Sequence, residues 1–189
     1  MKYIACCSMG KDSLAQVLCL MRDKRPLDEV VFYDTGMEFD AIYRNADKLE
    51  KLVESNGIKF TRLYPEKPFL YRLLEEPRKN RFLGRDKGRM WCGWNRVRWG
   101  TDDKLNAMNA HCGDAIQYIG IASDEYRRLA RLNKNRYSYI AHLNMTEADC
   151  LRLCRDLGWN WRESTTRTEC GYVDLYDIFD RVSCWCCAY

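Results

Sequence analysis

Charge of one sign is scarce in this chain: 31 Lys and Arg stand against 27 Asp and Glu, a net charge of only +4 over 189 residues. A dedicated nucleic-acid binder is far more basic, so any anion site here must be local. Long apolar runs are scarce too. The opening stretch, Met1 to Cys7, is broken at once by Gly10-Lys11-Asp12, which suits neither a secretory signal nor a membrane span. A cytoplasmic chain with no membrane partner is the expectation. Histidine is rarer still: His111 and His142 stand isolated and are assigned no role. No repeat, low-complexity tract or linker interrupts the chain. With 47% hydrophobic residues it can bury one substantial core, so a single domain over 1–189 is expected, with a cysteine-rich segment at 170–189.

Cysteine is the exception to this scarcity. Without a signal peptide, 11 cysteines read as thiols or metal ligands rather than as a disulfide framework. Cys19, Cys150 and Cys154 fall on apolar positions of predicted helices, where a free thiol acts as a small buried hydrophobe.

Alternation of strands and helices organises the rest. Lys2 to Cys7 predicts a buried strand, and Leu14, Val17, Leu18 and Met21 mark one face of a helix from Asp12 to Arg22. Glu29 to Tyr33 predicts a second strand, Glu38 to Ser55 a second amphipathic helix, and Ile58 to Leu63 a third strand. Periodicity fades between Pro77 and Gly100, where a basic, glycine-containing loop carries Arg85, Lys87, Arg89, Arg96 and Arg98 with Trp91, Trp94 and Trp99 nearby. Ala115 to Ile121 predicts a strand and Asp124 to Arg131 a basic helix or turn. Thr146 to Leu157 predicts a helix opened by a capping arrangement, and Asp174 to Arg181 one more helix. The fold class that follows is α/β, a Rossmann-like parallel sheet with helices on both faces, and ligands bind at the carboxyl ends of its strands.

The first of those strand ends is Ser8-Met9-Gly10-Lys11-Asp12-Ser13. A strand feeding this string into a helix gathers backbone N–H groups, the positive end of the helix dipole and two hydroxyls around one point. Gly10 permits close backbone approach, Lys11 adds a point charge, and Ser8 and Ser13 can donate hydrogen bonds. That combination suits a phosphate. The string resembles the Ser-Gly-Gly-Lys-Asp-Ser loop of the PP-loop, or adenine nucleotide α-hydrolase-like, superfamily, with Met9 in place of the middle glycine. Tyr33-Asp34-Thr35-Gly36-Met37-Glu38-Phe39 resembles the second-strand motif of the phosphoadenosine phosphosulfate reductase family. Ile119-Gly120-Ile121-Ala122-Ser123-Asp124-Glu125 with Arg127 and Arg128 resembles its later motif. The resemblance implies an adenine nucleotide (ATP, phosphoadenosine phosphosulfate or adenylyl sulfate) across the strand ends. Its phosphates would lie at Ser8, Gly10, Lys11, Asp12 and Ser13 and its adenosine near Asp34, Thr35 and Gly36. Gly120 lies near the end of a later strand, and at least one of Arg127 and Arg128 is expected to face the ligand.

Cys184, Cys186 and Cys187 are three thiols within four residues, which makes a shared metal attractive. The reductases of the family hold an iron-sulfur cluster between middle-loop cysteines and a Cys-x-x-Cys near the end. The resemblance therefore implies Cys92, Cys184, Cys186 and Cys187 as ligands, with Cys170 in reserve and zinc as the alternative metal. A reductase of this kind also uses a cysteine nucleophile in a Glu-Cys-Gly segment and a thioredoxin-like reductant. Thr168-Glu169-Cys170-Gly171-Tyr172 matches that string only locally. Lys11 and Cys170 are thus the candidate catalytic residues. Sulfonucleotide reduction ranks first by a narrow margin. Its alternatives are an ATP pyrophosphatase that uses Mg2+ and adenylylates an acceptor such as tRNA for sulfur insertion, or a non-catalytic nucleotide-binding module.

Overall fold

A computed structural model describes residues 1–77, 87–89, 99–182 and 184–186, with Trp99 described in its backbone only. Five parallel strands make the main sheet: β1 (Tyr3–Cys6), β2 (Glu29–Tyr33), β3 (Lys59–Leu63), β4 (Ile116–Ile119) and β5 (Arg136–Tyr137). Their order is β3-β2-β1-β4-β5, so the chain winds outward one way from β1, then returns to its other side. Strand order therefore reverses between β1 and β4, and the crevice that opens there at the carboxyl ends is where such sheets bind ligands.

Side-chain alternation explains why both faces are covered. From β1 and β2, Ala5, Cys7, Val30 and Phe32 pack in one buried cluster with α1 (Lys11–Arg22) and α2 (Asp40–Glu54). Ile4, Val31 and Tyr33 point the other way, against Met108 and Cys112 of α4 (Trp99–Cys112). The short helix α3 (Phe69–Leu74) precedes α4, while α5 (Tyr126–Leu129), α6 (Tyr139–His142) and α7 (Glu147–Asp156) follow β4. Both α6 and α7 pack on α1. The capping box at the start of α7 forms as expected, with Thr146 and Asp149 each serving the other's backbone.

Cys19, Cys150 and Cys154 are fully buried in the α1/α7 layer, as their apolar positions suggested. The described cysteines are free thiols, and no described helix is long and apolar enough to cross a membrane. An antiparallel hairpin, β6 (Arg162–Ser164) with β7 (Tyr172–Asp174), leads into the final segment. The helix expected over Asp174 to Arg181 is a correction: only a single 3-10 turn, Leu175–Asp177, forms. Tertiary contacts override propensity here, because Tyr176 turns inward to α1 while Phe179 packs on Phe39.

Candidate nucleotide and cysteine site

The loop from β1 to α1 keeps its glycine-like shape without the glycine. Met9 adopts φ 61°, a left-handed conformation that costs an ordinary residue about 1–2 kcal/mol. The surroundings offset this, since the Met9 side chain is fully buried and its carbonyl accepts the indole N–H of Trp161 at 2.7 Å. Ser13 Oγ accepts the Ser8 N–H at 3.1 Å and donates to the Gly10 carbonyl at 3.1 Å, which closes the loop. No side chain of the Gly10 N-cap satisfies the helix start. Gly120, just past β4, lets that strand end approach the first turn of α1: a Cβ there would lie 2.4 Å from Ser13 Cα and 2.5 Å from Ser13 N.

Above this loop lies a cavity of about 680 Å³. Ser8, Gly10, Lys11, Asp12, Ser13, Gly120 and Arg128 line its inner side, so residues drawn from the first and third sequence motifs converge on one space. The opposite wall was not legible in the sequence. It is the segment Tyr176 to Val182, which crosses over the loop.

Lys11 is 4% exposed, and its ammonium is engaged by the Asp180 carbonyl at 2.9 Å and Glu147 Oε2 at 3.1 Å. Asp12, Glu125 and Glu147 bring carboxylate oxygens within 4.8 Å of one another. Arg128 pairs with Glu125 at 2.6 Å, and Arg181 bonds both Glu125 and Glu147. Asp12 Oδ1 is nevertheless buried with no hydrogen-bond partner. Burial first, and then the neighbouring Glu147 and Glu125, push the Asp12 carboxyl up to about 6 against the pull of Lys11. Arg127 lies on the outer side, in an adjoining hollow with Asp124 and Tyr126.

At the end of β2 the second motif works differently. Asp34 Oδ1 accepts the Gly36 N–H at 2.7 Å and the Tyr43 hydroxyl at 2.9 Å, so the carboxylate builds the turn. Gly36 sits at φ 75°, which a side chain would strain. Thr35 instead meets the cysteine segment: its hydroxyl is 3.2 Å from Cys184 Sγ, which in turn lies 3.4 Å from Glu38 Oε1. The Trp185 N–H donates to the Met37 carbonyl at 3.0 Å and fixes the register of that contact. Burial and the Glu38 carboxylate push the Cys184 thiol up to about 12, so it holds its proton at neutral pH. Cys186 is buried beside it. Cys92 and Cys187, the other expected ligands, lie outside the described residues, as do Arg85, Trp91, Trp94, Arg96 and Arg98. Lys87 and Arg89 of the basic loop are ion-paired to Glu75 and Glu76. Cys170 is exposed between the hairpin strands, and its thiol bonds Tyr172 O at 3.2 Å and Thr168.

A parallel 3-2-1-4-5 sheet with this loop and cavity at its switch point is an open α/β fold of the class that binds ligands in that crevice. Residues 2–72 match the family model of the phosphoadenosine phosphosulfate reductase domain. Among solved structures, it is similar to the U34-tRNA thiolase NcsA from Methanococcus maripaludis with its 4Fe-4S cluster. That likeness has a TM-score of 0.54 at 17% identity and covers 84% of this chain but 58% of the thiolase, so it is a likeness of fold. No curated protein matches the chain.

Proposed function

We propose that the protein binds ATP at the switch-point cavity and adenylylates an acceptor for sulfur transfer, with a tRNA as the acceptor class. The observation that carries this reading is the cavity's chemistry: a phosphate-type loop, Lys11 and Arg128 face carboxylates, and no cysteine is among the described lining residues. Reduction of a sulfonucleotide needs a thiol at the ligand, and Cys170 is engaged within its own hairpin.

In this reading the ATP phosphates lie on the N–H groups of Gly10 to Ser13 under the helix dipole, with Lys11 and Arg128 supplying charge. The adenosine extends toward Asp34, Thr35 and Gly36. Asp12, Glu125 and Glu147 would hold Mg2+, and the orphaned Asp12 Oδ1 fits that role, since a hard cation takes oxygen ligands. Magnesium, when bound, neutralises phosphate charge. The acceptor's carbonyl oxygen attacks the α-phosphorus, the bond from that phosphorus to the bridging oxygen breaks, and pyrophosphate leaves; hydrosulfide supplied by an external sulfide donor then forms a C–S bond at the activated carbon, and AMP leaves with the acceptor oxygen, with no change in oxidation state. Cys184 and Cys186, with Cys92 and Cys187, would hold an iron-sulfur cluster or zinc at the far side of Thr35. A reducing, cytoplasmic setting suits so many free thiols.

Sulfonucleotide reduction with a thioredoxin-like donor is the second reading, favoured by the family match over residues 2–72. Incubation under reducing conditions separates the two. Pyrophosphate released from Mg2+-ATP only when tRNA is present supports adenylylation. Sulfite released from phosphoadenosine phosphosulfate or adenylyl sulfate, without tRNA, would replace it with reduction.

A further inference from the structure

Two donors of the β1–α1 loop are already in use, and one segment uses both. The Lys11 N–H, at the open start of α1, donates to the Tyr176 hydroxyl at 2.8 Å. The Lys11 ammonium donates to the Asp180 carbonyl at 2.9 Å and lies 5.0 Å from the centre of the Tyr176 ring. Two oxygens of the chain thus occupy positions that an anion's oxygens would take at a helix start. Tyr176 is held there by Trp161, whose ring meets it edge-on at 4.7 Å and whose indole N–H bonds the loop itself through Met9 O. The hydroxyl stands so close that even a Cβ on Gly10 would come within 3.2 Å of it.

The same segment leads straight to the thiols. After Val182 the chain reaches Cys184, which touches Thr35 and Glu38, and Trp185, which is bonded to Met37. Beyond the 3-10 turn, Ile178 is 59% and Phe179 45% exposed, and the segment is held by Phe179 against Phe39 and by Arg181 on the Glu125 and Glu147 carboxylates.

We infer that residues 175–182 form a latch that a nucleotide's phosphates displace, so that filling the loop releases the segment carrying Cys184 and Cys186. This rests on the proposed nucleotide site. Phosphate oxygens on the Lys11 N–H and ammonium replace Tyr176 Oη and the Asp180 carbonyl, so the two bonds that tie the strap to the loop are lost, and the Arg181 pairs and the Phe179–Phe39 contact are left to hold it alone. The competition lowers apparent affinity, because only the unlatched fraction binds.

Hydrogen exchange on the wild-type protein tests this without any substitution. With saturating Mg2+-ATP, exchange at Ile178, Phe179 and Trp185 should quicken, while the amides of Lys11 to Ser13 slow. Adenosine, which lacks phosphates, should leave the strap unchanged. Tyr176→Phe keeps the ring contact with Trp161 and removes the competing hydroxyl, so its Kd for ATP should fall roughly three- to tenfold, the worth of one hydrogen bond. ATP binding with unchanged or slowed strap exchange, or an unchanged or weaker Kd in Tyr176→Phe, overturns the latch and leaves the nucleotide site standing. If ATP binds neither protein, the nucleotide site fails and the latch falls with it.

Discussion

Two carboxylates, one fully buried and one partly buried, stand at opposite ends of the sheet and are treated in opposite ways. Glu29 starts β2 at the amino end and is fully buried. Lys2 meets it at 2.5 Å, Lys59 at 3.3 Å and His111 at 3.0 Å, and the Thr61 hydroxyl donates to it. Burial alone would raise this acid, but the bonds from Lys2, Thr61 and His111 hold it down at about 2. Asp12, at the carboxyl end, is pushed up to about 6 and keeps one buried oxygen unpaired. The amino end spends its charge on its own structure, whereas the carboxyl end leaves one buried carboxylate oxygen without a hydrogen bond where a ligand would complete it.

The largest effect should come from Gly120→Ala, which sharpens the contrast by attacking the carboxyl end through packing alone. Its methyl would meet the backbone of Ser13 and Asp12, which cannot rotate away. A loss of about 3 kcal/mol or more is expected in denaturant unfolding. A loss near zero would mean that the loop and β4 are not in contact. Glu29→Gln comes next, at about 1.5–3 kcal/mol, because hydrogen bonds to a charged partner are lost. Since the folded pKa lies below the ordinary value of 4.5, the wild-type advantage is complete above that pH and fades as the pH falls toward 2. Thermal unfolding of the two proteins from pH 7 to pH 2 should show their difference closing; a constant difference would break the assignment.

Asp12→Asn should act in the opposite direction, with metal chelated. Its folded pKa is raised, so the wild type bears the cost of an ionised buried acid above about pH 6 and sheds it as the pH falls toward 3.8. The variant should therefore gain about 1–2 kcal/mol at pH 7, and that gain should vanish by pH 4, while Mg2+-ATP binding weakens. A variant less stable than wild type at pH 7 would erase the distinction between the two ends.

Legibility in the sequence follows a similar divide. The β1–α1–β2–α2–β3 run was readable because β2 is buried along its whole length and α2 carries an apolar stripe of Ile42, Leu49 and Val53. Helix α4 was not, since it buries little beyond Met108 and Cys112 and so shows no stripe. At the site, Ser8, Gly10 to Ser13, Gly120 and Arg128 were legible as motif residues because each has a local pattern, and they line one cavity. Their partners had none: Glu147 is 136 residues from Lys11 and Tyr176 is 165, and nothing in their neighbourhoods signals a phosphate loop. Asp34, expected near the adenosine, was legible as part of a motif, whereas the turn its carboxylate builds with Gly36 and Tyr43 was not.

The central claim is that the β1–α1 loop holds a nucleotide's phosphates, and titration calorimetry with Mg2+-ATP tests it most directly. Wild-type protein should bind one ATP per chain, and Lys11→Met, which keeps the buried stem but removes the charge, should weaken binding at least about tenfold, as loss of a charged hydrogen-bond donor does. Equal affinity in the two proteins, or no binding by the wild type, would contradict the account.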